Sequence, residues 1–554
     1  MRILLPHERT ALIYDVLTEY TAISSRLDFG HAKQALASHE AKLTEDTQLW
    51  QAAGQWLRRH NAQLISELPG LLLDKIKAGD LGDRQYKYVI VDEFQDLTPG
   101  LQSLFLKLRT KFGHFMGLGD PRQSIYAFLG NDIGGLSRIS DLVAPESVTD
   151  ISMTECQRCP PDIVKAANQL TSLSGVTPMS PGNSDAANIH VVHWDQPLHE
   201  ANGMAEAIIR NVKAHPSERH LVMVTRRKFG YMLRDEMIQI DPSIEVDLNF
   251  SESLLETWVV REAFLFFCLI ADPDSPTWRA WFAYKNSTNG KDFKAAQRNS
   301  GAYLNFLSDS KDSINDEKVA ALATKDRQSG SGGKNLIERA KRFVELQKAF
   351  PGRDADPIDI LDSVFEIANW NGTCSENRQT SETDMKLAHT KTREIYEDVS
   401  LKKPKLSSSE KLANVARILR YQIATKEPFT PSKSAPVQIM TLWGAKGVTS
   451  DHVYILGLCK EALPGTRRDE YPGSENDFFE EQRRLFYVSI TRAKKTMILS
   501  RATKIKRSDA QKLGLEVTGY SPFYPKLQMC DFLRDIMNYL PSSVAGSEWN
   551  GCSK

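Results

Sequence analysis

The sequence has few cysteines, no long apolar run and no excess of charge of either sign. Seven cysteines in 554 residues do not read as a disulfide framework, so a reducing, cytoplasmic setting is expected. No apolar stretch reaches the length that crosses a bilayer, and the first residues show no signal-peptide pattern, so no membrane partner is predicted. The counts of 70 basic and 70 acidic residues exclude a globally basic polyanion binder but not a local basic groove.

A phosphate-binding loop is also missing. Such a loop reads G-x-x-x-x-G-K-[ST] after a strand, because its backbone N–H groups wrap the phosphates. Nothing in residues 1–87 fits this pattern. The nearest stretch, QSGSGGKN, has Gln328 in place of the first glycine and Asn335 in place of Ser or Thr. It follows no predicted strand, so it is not interpreted as a phosphate loop.

The apolar pattern changes along the chain and predicts an α/β protein. Residues 8–80 have helical periodicity, and residues 256–431 are polar and helix-prone. Elsewhere strands alternate with helices, which indicates parallel sheets covered by helices. The predicted strands are 88–91, 114–118, 188–194, 220–225, 437–441, 452–458 and 496–500, and helices are predicted at 100–112, 161–173 and 200–215.

Two acids follow the first predicted strand, in the stretch YVIVDEFQD. Asp92 has the chemistry to hold Mg²⁺ through water, and Glu93 can orient or deprotonate an attacking water. This arrangement suits nucleotide hydrolysis. Acids at strand ends also cap helices or lie in solvent, so the pair needs support from other motifs.

A second motif, GLGDPRQSIYAFLGN, follows the next predicted strand. Gly119 and Asp120 make a turn at the strand end where α/β proteins bind ligands. Gln123 is a neutral donor suited to a terminal phosphate. Tyr126 and Phe128 offer flat faces on which nucleic-acid bases stack, and the alternative is an aromatic pair in a core.

A Cys-x-x-Cys pair, Cys156 and Cys159, lies in the stretch ECQRCPP. Such a pair is compatible with redox chemistry or with half of a zinc site. No second pair of ligands accompanies it in the sequence. The preferred interpretation is that the two cysteines are incidental, and that the residue of functional interest in this stretch is Arg158, which lies between them.

Taken together, five stretches resemble the motifs of the UvrD/Rep/PcrA helicases of superfamily 1, in order and in spacing. The resemblance covers roughly residues 10–505. The matching stretches are VDEFQD (91–96), GDPRQSIYAFLG (119–130), TECQRCPPDIVKAANQL (154–170), MTLWGAKG (440–447) and YVSITRAKK (487–495).

The resemblance implies an ATP-dependent DNA helicase or translocase, usually moving 3′ to 5′, with ATP and Mg²⁺ as cofactors. Its implied partners are single-stranded DNA and duplex junctions. The implied fold has two RecA-like parallel-sheet lobes of the P-loop NTPase type, the first incomplete, and a helical insertion. The implied domains are a helical region (1–80), the rest of the first lobe (81–185), the second lobe (186–255 and 432–505), the insertion (256–431) and a C-terminal tail (506–554).

The resemblance also assigns roles to individual residues. Asp92 and Glu93 would serve Mg²⁺ and the attacking water. The expected nucleotide contacts are Gln123, Arg158, Gly447 and Arg492, with the two arginines stabilising charge on the γ-phosphate. The residues expected to lie along DNA are Tyr126, Phe128, Thr441, Trp443 and Lys446.

Some positions depart from the family pattern. Gln157 stands where an aromatic residue usually stacks on adenine, and Thr449 stands where a glutamate usually reaches the ribose. Together with the missing phosphate loop, these departures leave two explanations open. Either a further N-terminal segment or a partner protein completes the ATP site, or the chain is a non-catalytic DNA-binding or scaffolding subunit.

Overall fold

The computed structural model describes most of the chain. The described residues are 2–5, 8–9, 12–13, 47–59, 61–78, 85–127, 131–139, 148–171, 177–250, 253–271, 317, 319–321, 334–349, 356–366, 370, 378–423, 435–467, 471, 473–517, 523–549 and 551. Within them, no helix combines the length and apolarity needed to span a lipid bilayer.

Strands and helices are numbered here in chain order. The strands are β1 (Arg2–Leu4), β2 (Ala62–Leu64), β3 (Tyr86–Val91), β4 (Arg109–Gly117), β5 (Glu155–Cys156), β6 (Ser180–Pro181), β7 (Asn188–Trp194), β8 (His220–Val224), β9 (Val246–Leu248), β10 (Val437–Thr441), β11 (Ser450–Leu456), β12 (Ala493–Ala502) and β13 (Val544–Ala545). The helices are α1 (Thr47–Arg59), α2 (Leu68–Lys77), α3 (Pro99–Lys107), α4 (Pro161–Leu170), α5 (Pro197–Ala214), α6 (Arg227–Ile240), α7 (Trp258–Ala271), α8 (Lys334–Ala349), α9 (Pro357–Val364), α10 (Arg378–Lys402), α11 (Ser408–Gln422), α12 (Glu475–Ile490), α13 (Arg507–Leu513) and α14 (Asp531–Ile536).

The chain forms two compact units, and the first comprises residues 1–71 and 251–428. Its core is built around α7, whose sequence WVVREAFLFFCLIA is apolar on nearly every side, as expected of a helix buried all round. Trp56 of α1 and Trp370 are fully buried in the same core. Arg420 of α11 donates to the Ile3 carbonyl oxygen at 2.7 Å and pairs with the buried Glu8, which fixes β1 to this unit.

The second unit comprises residues 72–250 and 429–554 and contains a seven-stranded parallel sheet. The strand order is β13-β7-β12-β11-β8-β10-β9. All five residues of β8, HLVMV, are buried, because both faces of a parallel sheet are covered by other elements. Cores lie on both faces of this sheet. The α/β class that the sequence predicts is thereby confirmed.

A separate two-stranded parallel sheet, β3 with β4, precedes the large sheet in this unit. One face packs Val89 and Val91 against Phe94. The side chains that alternate with these point away from that cluster and are exposed, at 62% for Tyr88 and 67% for Ile90. Exposed apolar patches of this kind mark interaction surfaces.

Most predicted strands agree with the structure, and the differences have local causes. Strands β7 and β10 span the predicted residues 188–194 and 437–441. The helix predicted at 100–112 ends at Lys107, because residues from Arg109 onward pair with β3. The prediction of helices alone for residues 8–80 is wrong at Ala62–Leu64, since β2 pairs with β1 in parallel.

The described C-terminal residues, 506–517 and 523–549, were expected to form a tail, but parts of them belong to the sheet and core of the second unit. Strand β13 adds to the edge of the large sheet by pairing with β7. Phe532 and Ile536 of α14 are fully buried in the core that also holds α4 and α12. The sequence of this stretch lacks a long periodic run, so its tertiary role could not be predicted from local pattern.

A pair of stacked histidines is buried in the large sheet, at the starts of β8 and β11. The rings of His220 and His452 are 4.5 Å apart between centroids. Burial, followed by the charge of His452, lowers the pKa of His220 to about 4. His452 also has a lowered pKa because of burial, although Glu218 opposes that shift.

We expect His220 to reduce stability as the pH falls. Between an unfolded pKa of about 6.5 and the folded value of about 4, the unfolded chain binds a proton that the folded chain does not, so stability is lost on acidification. Buried Glu200 and Glu481, whose pKa values are raised to about 7, act in the opposite direction. The measurement is therefore a difference: His220→Phe should gain thermal stability relative to the parent as the pH falls from 6.5 to 4. The same change at exposed His199 should not.

Candidate functional site

The acids predicted to serve a metal follow strand β3 directly. Asp92 and Glu93 are both exposed. The Glu93 backbone has φ 51°, a left-handed conformation that a non-glycine residue adopts at a cost. Its N–H donates to Asp92 Oδ1 at 2.8 Å. The turn thus keeps both carboxylates together at the carboxyl end of the strand.

Gln95 connects these acids to the second motif, a role that the sequence interpretation missed. Its side chain is fully buried. Nε2 donates to Glu93 Oε2 at 2.6 Å, and Oε1 accepts from the Asp120 N–H at 3.1 Å. A Cβ at position 119 would lie 2.2 Å from Gln95 Oε1, which explains the glycine there. The available signal was a glutamine in an otherwise apolar and acidic run.

The second motif forms a short 3₁₀ turn, Pro121–Gln123, that Asp120 caps. Asp120 Oδ1 accepts from the Arg122 backbone N–H at 3.0 Å and from Arg122 Nε at 2.8 Å. Its Oδ2 accepts from Gln123 Nε2 at 3.0 Å. Gln123 is therefore held by its own turn beside the acids.

Lys446 lies at the centre of the acidic cluster. Its side chain is 7% exposed and pairs with Asp96. Its Nζ donates to the Gln123 carbonyl oxygen at 2.7 Å and lies 3.7 Å from Glu93 Oε2. It also lies 5.3 Å from the centre of the Tyr126 ring. One lysine thus joins the stretch after β10 to both acidic motifs.

The other residues expected to line DNA lie around this lysine. Tyr126 Oη donates to the Trp443 carbonyl oxygen at 3.4 Å. Trp443 is half-buried, and among the described residues its indole Nε1 has no hydrogen-bond partner. Thr441 Oγ1 accepts from the Gly444 N–H at 3.1 Å and so shapes the turn. Phe128 falls outside the described residues.

Gly447 ends this turn with a left-handed backbone. Its φ is +80°, and no atom lies within 4 Å of a Cβ placed there. The conformation requires glycine, and the open space leaves the backbone accessible to a ligand.

Arg492 lies at the junction between α12 and β12. Helix α12 begins with a capping box in which Ser474 accepts from the Asp477 N–H and Asp477 accepts from the Ser474 N–H. At the other end, Arg492 Nε donates to the Val488 carbonyl oxygen at 2.8 Å. Burial, followed by the charge of Arg158, lowers the pKa of Arg492 to about 10.

Arg158 lies close enough to Arg492 for their charges to interact. Within the described part of the chain, its buried Nε has no hydrogen-bond partner. The charge of Glu93 also acts on Arg492. Two arginines and the acid after β3 are thus gathered in one unit. An unpaired guanidinium N–H beside a second arginine is a setting that suits an anion such as a phosphate.

Arg484 joins helix α12 to the loop of the second motif. It is buried, and its Nε donates to the Ser124 carbonyl oxygen at 2.7 Å. Glu481, one turn earlier, accepts from Tyr471 Oη at 2.6 Å and has a pKa raised to about 7 by burial. Helix α12 therefore holds the loop that carries Tyr126.

The residues at this site provide some, but not all, of the groups that a bound Mg²⁺ and nucleotide would need. No cluster of three or more His, Cys, Asp or Glu side chains suited to a metal is found in the described ranges. Mg²⁺ is usually bound by one or two carboxylates together with phosphate oxygens, which Asp92 and Glu93 satisfy. The arginine pair suits the terminal phosphate. The backbone cradle for the remaining phosphates has no counterpart in the sequence.

Comparison with known proteins identifies the family. Residues 17–143 match the UvrD/REP helicase N-terminal domain, and residues 151–504 match the UvrD-like helicase C-terminal domain. These matches cover more than half of the chain, which therefore belongs to the UvrD-like helicase family. The domains of this family are RecA-like, in agreement with the large parallel sheet.

Curated relatives agree with this assignment. The ATP-dependent DNA helicase Rep of Buchnera aphidicola is 21% identical over 78% of this chain and 65% of its own length. DNA helicase II of Haemophilus influenzae is 22% identical, and ATP-dependent DNA helicase PcrA of Staphylococcus aureus is 23% identical, each over 76% of this chain and 55% of its own length. The chain thus spans between about half and two thirds of the length of these relatives.

Proposed function

We propose that this protein is the motor part of an ATP-driven DNA helicase or translocase. It acts on single-stranded DNA and duplex junctions and moves along DNA in the 3′ to 5′ direction. The observation that carries the proposal is that the charges of Arg158 and Glu93 both act on Arg492, within one unit. Family membership supports the same reaction class. Acids for metal and water together with arginines for a phosphoryl group are the components of nucleotide hydrolysis.

The residues divide the chemistry between them. When bound, Mg²⁺ and ATP supply the phosphoryl group and neutralise its charge. Asp92 would hold the metal, and Glu93 would accept the proton of the attacking water. Arg158 and Arg492 stabilise negative charge that develops on the terminal phosphate. The Gln123 side chain, fixed by Asp120, contacts that phosphate, and its backbone continues into the loop that carries Tyr126.

The proposed DNA path runs over Tyr126 and Trp443, and the expectation that Lys446 lies along DNA gives way to its burial beside Tyr126. Aromatic faces suit stacked bases without sequence preference, and each such contact contributes about 1–3 kcal/mol. The hydrogen bond from Tyr126 Oη to the Trp443 carbonyl oxygen supports a common surface. Lys446 connects this surface to the acids of the ATP site.

ATP turnover in this proposal needs a further polypeptide segment, supplied by an N-terminal extension or by a partner protein. Two observations support it: the absence of a G-K-[ST] loop in the sequence, and the exposed apolar face of β3 and β4, with Met116 54% exposed beside Tyr88 and Ile90. A two-stranded sheet with an apolar exposed face gains stability when another element covers it. The alternative is a non-catalytic DNA-binding subunit.

Phosphate release with and without single-stranded DNA tests the proposal. The chain alone should hydrolyse ATP little, because it lacks the loop that holds the β-phosphate. Co-expression with the N-terminal segment of a Rep or PcrA relative should give a complex with DNA-stimulated ATPase activity, and Glu93→Gln should abolish that activity.

Two outcomes would contradict parts of this picture. Robust ATPase activity of the chain alone, abolished by Glu93→Gln, would show that other groups hold the phosphates. A complex that binds ATP and DNA but never releases phosphate would favour the non-catalytic subunit.

A further inference from the structure

The two cysteines that the sequence left as incidental lie together in a fixed turn. Cys156 ends strand β5, and its carbonyl oxygen accepts from the Gly182 N–H at 2.9 Å, next to β6. Cys159 is fully buried, and its Sγ donates to the Thr491 carbonyl oxygen at 3.3 Å. Helix α4 begins two residues further on, at Pro161. Both cysteines are therefore anchored by neighbouring backbone.

The environments of the two thiols differ sharply. Contact with Cys159 lowers the pKa of Cys156 to about 5, aided by the N–H groups of Cys159 and Arg158 and by the Arg158 charge. The same contact and burial raise the pKa of Cys159. Cys156 is half-buried, whereas Cys159 is buried. A partly exposed thiolate beside a buried thiol is the usual arrangement of an attacking and a resolving cysteine.

We propose that Cys156 and Cys159 form a reversible thiol–disulfide couple that takes small-molecule disulfides such as oxidised glutathione. The Cys156 thiolate attacks one sulfur of the oxidant, whose S–S bond breaks and releases one glutathione thiolate. The Cys159 sulfur then attacks Cys156, and its proton passes to the glutathione thiolate that departs. The mixed disulfide breaks, a second glutathione leaves, and one internal S–S bond replaces two thiols.

The position of the couple gives its oxidation a local consequence. The disulfide removes the negative charge beside Arg158 and withdraws the Cys159 donor from the Thr491 carbonyl oxygen, one residue before Arg492. Oxidation therefore changes the charge next to Arg158 and the hydrogen bonding of the residue before Arg492 at the same time. A stabilised thiolate favours the reduced form, so the disulfide should be re-reduced readily by mild thiols.

Incubation of the full chain with oxidised glutathione tests the proposal. After acid quenching, alkylation of the remaining thiols and digestion, mass spectrometry should find a Cys156–Cys159 disulfide that reduced glutathione reverses. Cys159→Ala should instead accumulate the glutathione adduct on Cys156, and Cys156→Ser should leave Cys159 unmodified. Cys459 and Cys530, buried in the same unit, serve as internal controls and should remain thiols.

A second measurement separates this chemistry from a merely structural role. The rate of iodoacetamide reaction at Cys156 should rise through a midpoint near pH 5, and Cys159→Ala should move that midpoint upward, toward the ordinary thiol value of about 8.5. The proposal is overturned if the internal disulfide does not form, or if Cys156 in the parent already titrates at the ordinary value.

Discussion

Replacing Arg492 with alanine should lower ATP turnover by about 10³-fold or more, the range in which arginines that stabilise phosphoryl transfer act. Binding of ATP should change far less. The reason is that the guanidinium charge matters most when negative charge develops on the terminal phosphate. Turnover and nucleotide affinity are measured separately, in the complex that contains the phosphate-loop segment.

The geometry of Arg492 sharpens this expectation. Its Nε is fixed by the Val488 carbonyl oxygen and its Nη2 donates to Thr491 Oγ1 at 3.1 Å, so the side chain is held in place before any ligand binds. Burial disfavours the charged form, which shows as a lowered pKa of about 10, yet the group stays charged near neutral pH. A preorganised cation of this kind loses little freedom during the reaction.

Lys494→Ala is the matched control, because Lys494 is exposed and lies two residues further on, in β12. It should retain parental turnover. An Arg492→Ala complex that hydrolyses ATP at the parental rate would remove Arg492 from the site. Equal losses in affinity and turnover at Arg492 would instead indicate binding to the ground state.

Local sequence pattern predicts the strands of the large sheet well, and the reason is physical. β8 and β10 are short apolar stretches rich in β-branched and other apolar residues, buried on both faces, so their signal is strong. β13 has only two residues, and β2 only three. Such short strands form because they pair with a partner strand that is distant in the sequence. The local sequence pattern therefore does not predict them.

The same distinction holds at the candidate site. Asp92, Glu93 and Gln123 could be identified from motifs because their chemistry is readable in one stretch. Gln95 and Arg484 could not, since their importance comes from partners 25 and 360 residues away in the sequence. Residues that position others are recognised by what they touch, which only the fold provides.

The second large effect is expected at Lys446. Replacing it with methionine keeps all but the last atom of the side-chain length and removes the charge that balances Asp96. Breaking a buried pair by removing one partner costs about 3–5 kcal/mol. We expect a loss of stability at the lower end of this range, because the Asp96 side chain is 18% exposed. We therefore expect a clear decrease in the midpoint temperature of thermal unfolding.

A double-mutant cycle distinguishes this pair from simple loss of packing. Asp96→Asn removes the carboxylate that Lys446→Met leaves uncompensated, so the double variant should be more stable than Lys446→Met alone. Lys494→Met, at an exposed lysine, serves as the control for the substitution itself and should unfold like the parent. A double variant less stable than the single one would show that Lys446 acts through contacts other than Asp96.

The pH dependence of the Lys446→Met penalty gives an independent check. Burial already raises the pKa of Asp96, and Lys446 opposes that shift. Without the lysine the folded-state pKa rises further, and protonation relieves the uncompensated charge as the pH falls through that value. The loss of stability should therefore be larger at pH 8 than at pH 5. Because Lys446 also contacts the Gln123 carbonyl oxygen, a penalty independent of pH would mean that this neutral contact, and not the ion pair, joins the turn after β10 to the acidic motifs.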